Sequence, residues 1–437
     1  MIMQQLNDQT GTIYNPAQAV FEATRCIECY SAPCVDACPV GVDIPRFIGR
    51  IKMGDFIGAD QIIREKCLLP GVCGLICPVE RLCVQGCCVT EPLGPVRIHQ
   101  LQRFAAAYTI EHGNEIFEPA PSSRQKVGIV GSGPAGLAVA SALVNKGYRV
   151  TVFEAMDSPG GMMTYSIPDH RLPRDILNAE IDAIKKMGVE ILTGTRVAPE
   201  ELLEQGFAAV FLGTGTHQPV STGIPGSDLT GVYQGLDFLR LVSAGSVVEL
   251  LGEEISALRV AVVGGGDVAM DAAISAARLG AKRIHLLYRR SYQEMPAIES
   301  EVSLAQQDGV LFWILTNPTK IIGDKHGRVA AIECQEMELG EPDDSGRRRP
   351  IPVTGTEFQL DVDIVIEAVG QKVDKKLIGQ LGVETDPDGT IRVGEHGETS
   401  RPGLFAAGDV ISGGTTVVQA LAEGARAAEG IDRYLSS

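Results

Sequence analysis

Val127-Gly128-Ile129-Val130-Gly131-Ser132-Gly133-Pro134-Ala135-Gly136 is the stretch that decides the fold class. Its first four residues read as a buried parallel strand, and Pro134 to Asn145 reads as the helix that follows. Between them, Gly131 and Gly133 allow a tight turn and close approach of the backbone to a pyrophosphate. Gly136 lets the helix pack on the strand. Pro134 and Ala135 open the helix, whose N-terminus offers the positive end of its dipole. Arg149 to Glu154 is the next strand, and Glu154 stands at its end, where a carboxylate binds ribose hydroxyls. Strand, glycine loop, helix and acid in register make a dinucleotide-binding unit.

The pattern recurs downstream. Arg259 to Val263 runs into Gly264-Gly265-Gly266-Asp267-Val268-Ala269, with Ala269 in the place of the third glycine, and Ile284 to Tyr288 is the next strand. Val362 to Gly370 closes this second unit, as Ala208 to Gly215 closes the first. One nucleotide-binding unit is therefore expected inside the other. Where the second unit would carry its carboxylate it carries Arg289-Arg290. A basic pair there suits a 2′-phosphate that an acid would repel, so the reading is NADPH, with NADH as the alternative. Gly264, Gly266, Asp267, Arg289, Arg290 and Gly370 are its candidate binding residues.

Upstream of both loops the chain is crowded with cysteine. Of 11 cysteines, ten lie between Cys26 and Cys88. The first group is Cys26-x2-Cys29-x4-Cys34-x3-Cys38-Pro39. The second is Cys73-x3-Cys77-Pro78 followed by Cys83-x3-Cys87. Ferredoxin runs place three close cysteines on one cluster and send a fourth, one helical turn on and followed by proline, to a second. The middle gap here is longer than in a ferredoxin, but the arrangement follows the same logic. Two 4Fe–4S clusters are the reading. A structural zinc site is the competing one, although zinc sites more often show two short cysteine knuckles. Eight ligands are needed and ten cysteines are present, so the residues alone leave the ligand set open.

The bulk properties narrow the class. The chain has 437 residues, 44% of them apolar, and 50 glycines, which suits a large α/β protein with many tight turns. A net charge of −17 argues against a nucleic-acid partner. The one basic run, Arg347-Arg348-Arg349, follows Asp343-Asp344-Ser345-Gly346 and reads as a solvated hairpin tip. Met1 to Thr10 is polar and lacks the order of a signal peptide. No apolar run reaches the roughly 18 residues of a membrane span. A cytoplasmic protein with reduced thiols is expected. Pro119, Pro121, Ser122 and Ser123 mark a linker. The expected domains are a helical iron–sulfur domain at 1–120, an FAD-binding domain in two parts at 121–240 and 371–437, and an NAD(P)H-binding domain at 241–370.

The first unit, with Pro159-Gly160-Gly161, Arg171-Leu172-Pro173, Gly213-Thr214-Gly215 and Thr399 to Asp409, resembles the FAD-binding domain of the two-dinucleotide-binding flavoproteins. Thr399 to Asp409 is read as a strand ending in Gly408-Asp409. The resemblance implies FAD, with Gly161, Arg171, Gly215 and Gly408 at the cofactor and Asp409 on its ribityl chain. It also implies that the helix starting near Thr416 and Val417 faces the flavin. Thioredoxin reductases share this architecture but need a redox Cys-x-x-Cys in the pyridine-nucleotide unit, where only Cys334 is found here.

Taken with Glu22-Ala23-x-Arg25-Cys26, Gly94-Pro95-x2-Ile98 and Leu101-Gln102, the pattern resembles the glutamate synthase small-subunit family. That family includes the N-terminal half of dihydropyrimidine dehydrogenase and the small subunit of its bacterial two-subunit form. The resemblance implies one cluster on Cys26, Cys29, Cys34 and Cys87. It implies a second on Cys38, Cys77, Cys83 and the amide of Gln102. Cys73 matches a family cysteine outside the ligand set, while Cys67 and Cys88 match none. No side chain is assigned a catalytic role, and His170 and His217 read as packing or surface residues. The implied function is electron entry: NAD(P)H is oxidised at FAD and electrons leave through the clusters.

The chain carries no FMN barrel or amidotransferase domain, so a partner is expected. An FMN-dependent pyrimidine-reducing subunit comes first, the glutamate synthase large subunit second and a ferredoxin third. The rivals are a flavin disulfide reductase with a structural zinc domain and a non-catalytic assembly subunit. Iron and acid-labile sulfide analysis separates clusters from zinc. About eight irons per chain are expected, and zinc without sulfide would sink the cluster reading.

Overall fold

The computed structural model describes residues 14–113, 124–247, 255–343 and 346–437. The expected linker prolines and serines, the polar start of the chain and residues 344–345 of the hairpin tip before Arg347 lie outside the described residues.

The cysteine region is helical. Helix α1 (Pro16–Thr24) begins at a capping box between Asn15 and Gln18 with proline in its first turn. Helix α2 (Pro33–Asp36) is one turn long. Helices α3 (Ile44–Lys52) and α4 (Phe56–Arg64) are capped by Asp43 and Asp55, each accepting a backbone N–H three residues on. Helix α5 (Pro70–Ile76) starts on a proline, and α6 (Ile98–His112) follows. Gly74 lets α5 lie directly on α6, since a Cβ there would come within 2.9 Å of the Arg103 backbone nitrogen.

The first parallel sheet has strands β1 (Lys126–Val130), β2 (Arg149–Phe153), β3 (Glu190–Leu192) and β4 (Ala209–Leu212). Helix α7 (Pro134–Asn145) follows β1, and α8 (Arg174–Lys186) precedes β3. The second parallel sheet has β5 (Val232–Gln234), β6 (Arg259–Val263), β7 (Arg283–Tyr288), β8 (Leu311–Ile314) and β9 (Ile364–Glu367), with helix α9 (Asp267–Arg278) after β6. Strand β10 (Leu404–Ala406) returns to the first sheet, and α10 (Val417–Ser436) follows it. The sheet orders are β10-β4-β1-β2-β3 and β5-β9-β6-β7-β8, all parallel. The antiparallel strands Thr316–Gly323, Val329–Pro342, Arg348–Pro352 and Phe358–Asp361 lie between β8 and β9. The α/β class, the helical N-terminal region and the nesting are as the residues indicate.

Two details differ from the sequence reading. Residues 217–240, assigned there to the flavin part, belong to the inserted compact unit, which takes 165–168 and 217–372. The reason is β5, which pairs with β9 through Val232, Tyr233 and Gln234. Thr399 to Asp409 is not one strand. Pro402 and Gly403, with φ +81° at the glycine, force a turn in which Thr399 N–H donates to Leu404 O, and only Leu404–Ala406 joins the sheet.

A buried ionic group fastens the cysteine helices to the flavin-side fold. The Glu180 carboxylate on α8 accepts the N–H of Gly71 (2.8 Å) and of Val72 (3.1 Å) at the start of α5. Arg64 lies between Asp60 (2.7 Å) and Glu180 (3.4 Å), and the side chains of all three are almost wholly buried. Burial pushes both carboxyls above their ordinary range, Glu180 to about 7, and the guanidinium opposes the shift. Replacing Arg64 by Met leaves two buried carboxylates without their cation. A local loss of about 3–5 kcal/mol is expected. It should appear as faster amide exchange across 70–77 by mass spectrometry, and unchanged exchange there would contradict the role given to Arg64.

Candidate functional site

The ten clustered cysteines are brought into two groups by local backbone devices. Between Cys26 and Cys29, Glu28 adopts a left-handed φ of +51°, and Ala32 another of +38°. These turns fold the loop back, and Lys52 holds it by donating to Cys26 O at 2.9 Å and to the Glu28 carboxylate at 2.5 Å. Gly86 brings in the later segment: a Cβ there would come within 2.8 Å of Pro33 O and 3.1 Å of Cys34 Cα. Cys87 thereby joins Cys26, Cys29 and Cys34. Burial first, and then these three neighbours, push the Cys34 thiol up to about 11. Cys88 is exposed and hydrogen-bonds Cys29, which raises the Cys88 pKa.

The second group surrounds a cavity lined by Cys38, Cys67, Cys73, Cys77, Cys83, His99 and Gln102, with Val418 of α10 at its wall. Burial, then Cys77, Cys38 and Cys34, push the Cys83 thiol up to about 12. Burial likewise raises Cys38, with Cys67 adding to the shift. Cys73 is raised chiefly by hydrogen bonds to Cys67 and Cys77. Gln102 donates its amide Nε2–H to Pro70 O at 2.9 Å, which leaves its carbonyl oxygen as the end able to ligate a metal. Burial, aided by Arg103 and Arg97, lowers His99 to about 4, so its ring is neutral. Thiols and one amide oxygen around a single cavity are the donor chemistry that a metal–sulfur core takes. Among the described residues, no three His, Cys, Asp or Glu side chains are gathered as around one metal ion.

The motif Glu22…Arg25…Gly94-Pro95 also gains a physical account. Arg25 pairs with Glu22 (2.7 Å) and donates to the carbonyls of Gly94 and Pro95, while Glu22 accepts Arg97 N–H (2.8 Å). These contacts tie the start of the first cysteine group to the start of α6, which carries Gln102.

The flavin-side residues meet at the carboxyl ends of β1, β2, β4 and β10, the place where open parallel sheets bind ligands. Gly131 has φ +100°, and a Cβ on it would strike Gly213 O at 2.4 Å. Gly136 is as confined, since a Cβ on it would lie 2.0 Å from Gly131 O, whereas a Cβ on Gly133 would meet nothing within 4 Å. That opening, at the N-terminus of α7 with Pro134 and Ala135, fits a pyrophosphate. A Cβ on Gly161 would come within 2.9 Å of Gly133 Cα. Glu154 is buried and accepts Ser132 N–H (3.0 Å), Ser132 O–H (2.6 Å) and Met156 N–H (2.9 Å). Arg171 lies partly exposed in the turn before α8, and Gly215 (φ +64°) follows β4. Asp409 accepts Thr415 N–H (2.8 Å) and Thr216 O–H (3.4 Å), and burial raises its pKa against both of these bonds. Gly408 packs on Ala135, and Thr416 caps α10 with Val417 behind it.

In the inserted unit, Gly264 (φ +144°) would clash with Ala368 O at 2.3 Å if it bore a Cβ, while Gly266 has almost open space. Asp267 accepts Ile298 N–H at 3.2 Å, and Gly370 (φ +136°) ends the strand pair beside Val220. The two arginines part company. Arg289 is exposed, but Arg290 is only 4% exposed. Arg290 binds Asp343 at 2.6 Å and Arg348 O at 2.8 Å. This differs from the reading of a basic pair: Arg290 is committed to Asp343 and Arg348, at the facing ends of the Val329–Pro342 and Arg348–Pro352 strands, and Arg289 is the exposed member. Cys334 is fully buried in the apolar core around β6 and β9, which pushes its thiol up to about 12. His217 is exposed and lies 3.2 Å from Arg240.

Comparison with known proteins places the chain. The family described as pyridine nucleotide-disulphide oxidoreductase matches residues 125–424, and dihydropyrimidine dehydrogenase domain II, 4Fe-4S cluster, matches 3–114. NADP(+)-dependent formate dehydrogenase subunit beta of Moorella thermoacetica is 43% identical over 93% of this chain, which spans 60% of that protein's length. The glutamate synthase [NADPH] small chain of Escherichia coli is 34% identical, covering 97% of this chain and 93% of its own. The NAD-dependent dihydropyrimidine dehydrogenase subunit PreT of Escherichia coli O157:H7 is 34% identical, covering 100% and 98%. The fold matches that of Mycobacterium tuberculosis FprA in complex with NADPH, with a TM-score of 0.59 and 20% identity over 72% of this chain and 85% of the other. The thiol groups, the two glycine loops and these matches together lead to one assignment: the chain belongs to the glutamate synthase small-subunit family, oxidoreductases that join a 4Fe–4S domain to FAD- and NADPH-binding domains.

Proposed function

We propose that this chain is an electron-entry subunit that oxidises NADPH and delivers electrons, through two 4Fe–4S clusters, to a separate subunit carrying the terminal substrate site. The observation that carries the reading is the division of the thiols. One group is Cys26, Cys29, Cys34 and Cys87. The other is Cys38, Cys77 and Cys83 with the amide of Gln102, around a cavity that Val418 helps to line. When bound, FAD exchanges electrons in pairs with a nicotinamide and singly with an iron–sulfur cluster.

The chain's own residues set the geometry of this exchange. Gly131, Gly133, Pro134, Ala135 and Gly136 cradle a pyrophosphate, and Glu154 meets ribose hydroxyls. Gly161, Arg171, Gly215, Gly408, Asp409, Thr416 and Val417 surround the rest of the flavin nucleotide. Gly264, Gly266, Asp267, Arg289 and Gly370 hold NADPH. Val418 follows directly on Thr416 and Val417, so the second thiol group is the one next to the flavin-facing helix end.

The first group is then the exit. Its loop presents Ile27 at 65% and Tyr30 at 107% exposure, flanked by exposed Phe21, Met53 and Leu93. Apolar side chains so exposed around a redox site suit a protein partner. The carrying test is an anaerobic titration of the holoprotein with NADPH. Bleaching of the flavin band and reduction of clusters are expected, and a spectrum that NADPH leaves unchanged would end the proposal. An anaerobic pull-down from native cells then names the acceptor. An FMN-containing pyrimidine-reducing subunit is the first expectation, with a glutamate synthase large subunit or a ferredoxin as the other outcomes.

The arginines give a separate test. Removing a charged hydrogen-bond donor costs about 1.5–3 kcal/mol, so Arg289→Ala should raise KM for NADPH roughly 10- to 150-fold and leave that for NADH unchanged. Arg290→Ala should lower the melting temperature and leave the preference between the coenzymes intact. An unaltered NADPH KM in Arg289→Ala would refute the phosphate role.

A further inference from the structure

The second thiol group has more donors than a cluster can use. Cys38, Cys77, Cys83 and Gln102 are proposed as its ligands, and Cys67 and Cys73 line the same cavity. Cys73 sits within α5, with its thiol hydrogen-bonded to both Cys67 and Cys77. Cys67 is differently placed. It lies in the connector between α4 and α5, outside either helix and 1% exposed, with its backbone N–H donating to Ile63 O at 2.8 Å. Its thiol is close enough to influence Cys38, and the Arg64 guanidinium is close enough to feel its charge. Gln102, by contrast, offers iron a neutral amide oxygen, a harder and weaker ligand for a metal–sulfur core than thiolate sulfur. Its amide is moored to Pro70 O, at the first residue of the helix that the Cys67 connector leads into.

We propose that Cys67 is a reserve ligand for the second cluster, able to take the iron that Gln102 holds. In the exchange the Fe–O bond to the Gln102 amide breaks and an Fe–S bond to Cys67 forms. The thiol proton passes to solvent, and no electron is gained or lost. The cluster site gains one negative charge, and a more negative cluster has a lower reduction potential. This rests on the two-cluster reading given above.

The test uses the anaerobically purified full chain as wild type, Gln102→Ala, Cys67→Ser and the double variant. It reads iron content, flavin content as a check of folding, electron paramagnetic resonance, and potentials by spectroelectrochemistry. Gln102→Ala should keep about eight irons and shift the second cluster to lower potential. Cys67→Ser should match wild type. The double variant should lose one iron and show a three-iron signal when oxidised.

Three results would each overturn the reserve role. One is a three-iron signal in Gln102→Ala, whose Cys67 is intact. Another is iron loss in Cys67→Ser alone. The third is a double variant that keeps every iron Gln102→Ala keeps. If the double variant fails to bind flavin, the potential of Gln102→Ala decides, and an unshifted value rejects the exchange. Wild type with only about four irons would remove the two-cluster reading itself, and the reserve ligand with it. Wild type with about eight and a three-iron Gln102→Ala would remove the reserve ligand alone.

Discussion

The contact on which the arrangement depends is a single carboxylate receiving two backbone N–H groups. Glu180, on a helix of the flavin-side fold, caps the start of α5 through Gly71 and Val72, with Arg64 and Asp60 completing a buried ionic cluster. Helix α5 carries Cys73 and ends at Cys77, and Gly74 presses it onto α6 beside Gln102. Electron transfer between centres falls steeply with distance, so a slack joint at this point would be felt in function. Burying three ionisable groups is expensive, and a hydrophobic joint of the same volume is often as stable or more so. What the ionic joint provides is a defined position for the first turn of α5, because the two N–H groups must both reach one carboxylate.

Much of this molecule is legible in its residues. The helix expected from Pro134 to Asn145 and the strand from Arg259 to Val263 appear with those bounds, because a buried parallel strand, a glycine loop and a proline-started helix are specified by neighbours in sequence. The partition of the cysteines was read from a family pattern, and the structure brings Cys87 to Cys34 by a device visible in the chain only afterwards, the glycine before it. Other features were closed to sequence. Arg290 looks identical to Arg289 on paper. It differs because alternate residues at a strand end face opposite ways, and one meets Asp343, more than fifty residues on. The joint of Arg64, Asp60 and Glu180 spans more than a hundred residues and has no local signature. Val418 at the cavity wall depends on how α10 returns across the fold.

The two glycine loops show how the same backbone constraint is met with different side chains. In the first, Gly136 must be glycine because Gly131 O lies where its Cβ would go. In the second, Ala269 fills that place and is fully buried, and the loop makes room instead with Gly265 against the ring of Tyr288. A search for three glycines alone would undervalue the second loop, while a search for the strand, the turn and the helix start would find both.

The two ends of the 217–372 segment lie side by side. Gln218–Pro219 and Gln371–Lys372 pair as a short antiparallel ribbon, with Val220 N–H donating to Gly370 O at 3.0 Å. A segment whose entry and exit are neighbours can be replaced by another of the same kind without stretching the chain on either side. That makes this ribbon a natural seam for recombination. An exchange confined to this segment leaves the chain path through the thiol groups and the first glycine loop, which lie outside it, unchanged.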